Sequence, residues 1–236
     1  DLATDVHKFA LEAPAAGSGA GAITYRATGS VPGHLGWDAA RSSYRMSEHQ
    51  GDLRVVSFTG SFGWAVPADA TSGAVAPSPA TLSVLRENAS TRALDVIGQL
   101  PNANRPAPSG KPGEQIQGVR FAGDRAYVVT FLRIDPLYVL DLSNPVDPLQ
   151  AAALEITGFS DHLYPLANGL LLGVGREADA RGASLAVKVA LFDVADAARP
   201  SVLATELYGG ALSSTALDTS PHGIAFLDTG NNVVRV

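Results

Sequence analysis

The chain has 236 residues, 46% hydrophobic and 17% charged, which is enough apolar material for a buried core and too little charge for a disordered chain. A formal charge of −6, with 17 Lys plus Arg against 23 Asp plus Glu and no basic block, argues against a nucleic-acid partner. The absence of cysteine removes disulfides, thiolate metal sites and Cys nucleophiles, and no stretch approaches the roughly 20 apolar residues that span a bilayer.

From the N-terminus, Asp5–Leu11 and Ala22–Thr28 read as strands separated by an Ala/Gly/Ser-rich loop. Asp1–Thr4 has neither the basic nor the apolar region of a signal peptide, so if the protein is exported its signal lies upstream of this chain. Ser43–Thr59 has the pattern strand, tight turn at Gly51-Asp52, strand. The same pattern is expected at Val119–Phe131 with its turn at Gly123-Asp124, at His162–Val174 with its turn at Asn168-Gly169, and at Ala216–Leu227 near Pro221–Gly223. Residues 61–80 and 101–113, rich in Ala, Pro, Ser and Gly, are expected to be mobile, exposed loops.

A repeat connects these elements. Leu137–Pro148, LYVLDLSNPVDP, returns 52 residues later as Val189–Pro200, VALFDVADAARP, and a degenerate copy begins at Leu82 with Arg86 in place of the Asp. Asp141 and Asp193 fit carboxylates that cap the following turn, and Pro148 and Pro200 fit the connection before an outer strand. Short strands at such a period, several apolar on both faces, predict an all-β fold: a β-propeller of four-stranded antiparallel blades. The expected single domain, 1–236, divides into blades at about 1–31 (partial), 43–100, 114–157, 161–209 and 213–236 (partial). About four blades' worth of sequence means either that the end pieces join to close a small ring or that the propeller is partial, its remaining blades missing from this chain.

Several phrases in order resemble a known family: SVPGHL at Ser30–Leu35, GDLRVVSFTG at Gly51–Gly60, the long run Gly113–Pro148, ITGFSDHLYPL at Ile156–Leu166, LLGVGRE at Leu171–Glu177 and LFDVADAARP at Leu191–Pro200. They are similar to the secreted beta-propeller domain proteins of bacteria and archaea, whose C-terminal propeller is distantly related to WD40 repeats. The resemblance implies a longer propeller and a secreted or extracytoplasmic location, at the cell surface or in the periplasm. It implies no reaction and no catalytic residues.

Arg133 and Asp135, bracketing Ile134 in the turn before Pro136, suit either a turn cap or a ligand-lining loop. Asp161 and His162 open a strand expected to run beside the central channel, but strand alternation predicts that their side chains point to opposite faces. With His49 and His222 near hairpin turns of other blades, a His-lined rim is conceivable. Arg176, Glu177 and Asp179 read as a charged hairpin tip, too poor in carboxylates for Ca²⁺. No metal, cofactor or catalytic set emerges, since GxSxG, SxxK and HExxH are all missing. The leading expectation is a non-enzymatic binding or scaffold module for a protein, envelope polymer or glycan; the alternative is a secreted hydrolase or lyase using acidic residues and His at the channel. Convergence of Glu48, Asp161, His162 or His222 in a channel-mouth pocket would favour the enzyme reading, and scattered or paired groups would count against it.

Overall fold

The computed structural model describes residues 2–14, 21–36, 38–60, 78–131, 135–179, 181–228 and 234–235. The chain is all-β. β1 (Ala3–Glu12) and β2 (Ala22–Pro32) form an antiparallel hairpin, followed by a one-turn helix α1 (Ala39–Ser42) and a 3₁₀ turn, Ser43–Arg45. Next come β3 (Met46–His49), β4 (Asp52–Phe58), β5 (Ala80–Asn88) and β6 (Ala93–Leu100), then β7 (Gln115–Ala122), β8 (Arg125–Phe131), β9 (Asp135–Asp141) and β10 (Leu149–Ile156). A third set is β11 (Phe159–Pro165), β12 (Leu170–Ala178), β13 (Ser184–Asp193) and β14 (Ser201–Tyr208), and the short pair β15 (Leu227–Asp228) and β16 (Val234–Arg235) follows.

Each set of four is an antiparallel meander, and β2 joins the outer strand β6 of the first through a single parallel pair, Thr28 with Ala93. Turn chemistry explains the registers. Gln50-Gly51 takes positive φ at both residues, as a two-residue hairpin demands, and Asn168-Gly169 does so at the end of a three-residue turn closed by the Leu166 amide on the Leu170 carbonyl at 2.8 Å.

The core lies between sheets rather than within one. Val56, Phe58, Leu82 and Leu100 of the first sheet pack against Ile116, Val128, Tyr138 and Leu140 of the second. The other face of the second sheet presents Val129, Leu137 and Val139 to Leu171 and Phe192 of the third and to Val194 just beyond it. Burying each such side chain contributes about 1.5–3 kcal/mol, so a strand apolar on both faces is stable only between two neighbours. β12 meets Leu217 on its far side, while every residue of β14 is exposed.

Asp141 and Asp193 do cap their turns: the Ser143 and Ala195 amides each donate to a carboxylate Oδ1 at 2.9 Å. Pro148 and Pro200 immediately precede β10 and β14. Residues 61–77 of one expected loop lie outside the described residues. The other, 101–113, holds buried Ser109, whose amide and carbonyl engage Ser78 Oγ and the Ala80 amide, and it is tied to the second sheet by a bidentate Arg105–Asp147 pair.

The hairpin expected at Ala216–Leu227 does not form. Thr215 and Asp218 form a reciprocal capping box around a 3₁₀ turn, Ala216–Asp218, so local side-chain bonds win over strand pairing.

Candidate functional site

The innermost strands of the second and third sheets, β7 and β11, lie side by side, and Gly118 marks the contact: a Cβ there would meet the Ser160 carbonyl at 2.7 Å and that of Asp161 at 3.1 Å. Over this seam lies the segment from Asp38 to Arg45. α1 and the 3₁₀ turn carry Arg41, Tyr44 and Arg45 into it, with Asp38 holding Arg41 at 3.0 Å three residues on.

Both inner strands carry a bulge at the same step. The pairing of β7 with β8 shifts between Ile116 and Gly118, and that of β11 with β12 shifts between Ser160 and His162. The extra residues, Gln117 and Asp161, break the two-residue alternation. This overturns the expectation for Asp161 and His162: they line one cavity of about 20 Å³, with Arg41, Tyr44, Arg120 and Tyr164. A cleft of about 200 Å³ lies beside it, lined by His34, Arg41, Arg45, Phe58, Gln115 and Gln117 among others. Arg41, Arg45 and Gln117 border both.

The electrostatics are asymmetric. Asp161, mostly buried, accepts from Arg41 Nη1 at 2.6 Å. Burial pushes its carboxyl above the ordinary range despite that guanidinium. His162 is pushed down by burial and by Arg41, and its buried Nε2 has no hydrogen-bond partner among the described residues. Arg45 is 8% exposed and donates Nη2 to the Ile116 carbonyl at 3.0 Å; burial, then Arg41, lower it to about 10. The Arg120 guanidinium sits over the Tyr44 ring, 5.2 Å from its centroid. An imidazole held below its ordinary pKa, an ion-paired carboxylate and two arginines without a carboxylate partner among the described residues suit recognition of a polar or anionic group.

The other predicted residues go elsewhere. Arg133 lies outside the described residues, as does the side chain of Asp135, whose backbone begins β9. Arg176 and Glu177 are in β12, not at a hairpin tip: Arg176 pairs with Asp218 at 2.8 Å and donates to the Ser213 carbonyl, while Glu177 pairs with buried Lys188 at 3.3 Å. Asp179 accepts the Arg181 and Ala183 amides in the turn beyond. The His-lined rim does not form. His49 contacts Asp124 at 2.9 Å, Glu48 pairs with Lys8 at 3.2 Å, and His222 is exposed in the C-terminal segment. Reasoning from the sequence missed Arg41, Tyr44, Arg45, Gln117 and Arg120. The i, i+4 spacing of Arg41 and Arg45 was a signal for a shared helical face, although nothing local pointed that face at the seam.

Comparison with known proteins places this architecture. The beta propeller domain family matches residues 1–235. The chain belongs to this family. Among relatives of this beta propeller, an uncharacterised protein of Methanocaldococcus jannaschii is 32% identical over 173 residues, covering 73% of the chain and 23% of that protein. Another, from Archaeoglobus fulgidus, is 32% identical over 235 residues, 97% of the chain and 30% of that protein. The propeller chain therefore spans under a third of the length of either relative. No solved structure matches it. Among the described residues, no helix is long and apolar enough to cross a membrane, and no three of His, Asp and Glu gather as a metal-ligand set.

Proposed function

We propose that this beta propeller is an extracytoplasmic binding module whose ligand, a glycan, envelope polymer or protein, docks over the seam of β7 and β11. The family supports a binding or scaffold role in general. The observation that carries the finer reading is the convergence of Arg41, Tyr44, Arg45, Gln117, Arg120, Asp161 and His162, from two sheets and a connecting segment, on adjoining cavities. A packed core alone has no use for so many polar groups at one seam, since each costs free energy to bury.

The test is retention of the full-length protein on glycan arrays and on isolated envelope polymers, with Arg120→Met and Gln117→Glu as probes of the seam. A retained ligand whose binding both substitutions weaken supports the reading; a ligand indifferent to both places the interface elsewhere. The extracytoplasmic location rests on the resemblance of the sequence phrases, and cell fractionation that recovers the protein only from the cytosol overturns it.

A second reading, a hydrolase or lyase, draws on one observation: Asp161 and His162 line the same cavity, with the carboxyl raised and the imidazole lowered. Release of products from a retained polymer, abolished by Asp161→Asn and His162→Gln without loss of binding, is the result that favours it. Intact polymer after prolonged incubation removes it.

A further inference from the structure

Any ligand assignment at this cleft rests on the binding-module reading, which by itself does not say what chemistry the cleft selects. The cleft bordered by Arg45 is about 200 Å³, well above the roughly 10–15 Å³ that holds one water, whereas the cavity beside His162, at about 20 Å³, has room for little more than a single water. The larger space is where a ligand group fits.

Its walls are chemically uneven. Arg41 is neutralised twice, by Asp38 at 3.0 Å and by Asp161 at 2.6 Å. Arg45, four residues on, has no carboxylate within 4 Å among the described residues, and its hydrogen bond to the Ile116 carbonyl uses one of five donors. The guanidinium is held against Gly36, where an added Cβ would lie 3.0–3.1 Å from its atoms, so its position is set by packing rather than by a counterion. An arginine 8% exposed with no carboxylate within 4 Å among the described residues is costly, and cost of that kind at a preformed cleft is recovered when an anion enters. Gln117, put there by the bulge, and Gln115 add amide donors on the same wall. Counting Arg41, Arg45 and Arg120 against Asp38 and Asp161, the two cavities carry a surplus positive charge in a chain whose formal charge is −6.

We propose that this cleft is a carboxylate-binding site, with the Arg45 guanidinium receiving the carboxylate and the Gln117 amide beside it, sized for a sugar acid or a comparably small organic acid. The planar fork of a guanidinium matches the two oxygens of a carboxylate, and the amides serve neighbouring hydroxyl groups. Asp38 and Asp161 are both paired with Arg41, and neither lies within 4 Å of the Arg45 guanidinium.

Calorimetric titration of the full-length protein with D-glucuronate, its uncharged methyl ester, acetate and sulfate tests the assignment. Glucuronate is expected to bind at least about 10-fold more tightly than the ester, the loss expected when a charge-assisted hydrogen bond becomes neutral. Acetate binding as well as glucuronate identifies the source as small free acids; glucuronate alone identifies sugar acids. Arg45→Met and Gln117→Glu are each expected to weaken binding about 10-fold or more, the second by placing a like charge in the cleft, while Arg199→Met, on an arginine 85% exposed elsewhere, leaves it unchanged. Should Arg45→Met fail to fold, judged by its melting curve, Gln117→Glu carries the test. Equal affinity for acid and ester, preference for sulfate, or indifference to Gln117→Glu overturns the proposal. Retention of a neutral glycan that Gln117→Glu abolishes would sink the carboxylate assignment and leave the binding module standing. A ligand that ignores the seam altogether would sink both.

Discussion

β7 and β11 hold the same place in consecutive sheets and bulge at the same step, yet β7 puts Gln117 and Gly118 there and β11 puts Asp161 and His162. The repeat supplies the geometry, and departures from the repeat supply the chemistry. The two strands cannot be chemically alike at this step, because the β11 backbone lies where a Gly118 side chain would be. His162 is free of that restriction and is buried beside the C-terminal segment.

The largest expected effect comes from making the strands alike. Gly118→Val drives a Cβ into the Ser160 carbonyl and is expected to destabilise by roughly 3 kcal/mol, read as a lower denaturation midpoint at unchanged slope. A midpoint shift no larger than that of Gln117→Ala, expected below about 0.5 kcal/mol, would show that the seam is looser than its geometry implies.

Next comes the ion pair that β11 has and β7 lacks. Arg41→Met strands the Asp161 carboxylate and is expected to cost roughly 1–3 kcal/mol, less than a fully buried pair because Arg41 is 26% exposed. Adding Asp161→Asn should restore part of the loss; a strictly additive double variant would show that the two groups do not couple.

The outer turns supply the converse case, where the two sheets are alike. Asp141→Ala and Asp193→Ala each remove a carboxylate from a turn amide and should cost about 0.5–1.5 kcal/mol, equal within error. Unequal losses in thermal melts would mean that the repeat is not energetically uniform there.

The smallest effect is in pH. Because the folded His162 binds its proton less readily than an unfolded one, its contribution is complete above about 6.5, falls as pH drops below that value, and levels off below the folded pKa. His34, lowered by burial and by Arg45, acts in the same sense. Asp161, raised, acts oppositely: its contribution is complete below 3.8 and is lost as pH rises through the folded pKa. His162→Gln should therefore flatten the fall in melting temperature between about pH 7.5 and 5.5. A slope identical to that of the unsubstituted protein would assign it to other groups.

The fold was legible because its signals are local. Tyr127–Phe131 and Leu170–Val174 are too apolar for a sheet with one wet face, and glycines at 51, 123 and 169 mark the turns. The C-terminal segment misled because Pro221–Gly223 imitates a hairpin turn while the Thr215–Asp218 capping box, closed over three residues, decides the backbone. The candidate site was legible only at Asp161 and His162, and then with the wrong geometry, since a bulge inserts one residue without marking the sequence.

Alternation, turn residues and the 52-residue echo of LYVLDLSNPVDP determined by themselves that this chain stacks four-stranded antiparallel meanders, because strand formation, turn type and two-sided burial each depend on a few neighbouring residues. Tertiary structure alone decided that Arg45, seventy-two residues from Gln117, shares a cleft with it. Charge recognition depends on which side chains meet across a seam, and that meeting is set by a bulge, a close-approach glycine and a four-residue helix whose orientation no local pattern encodes.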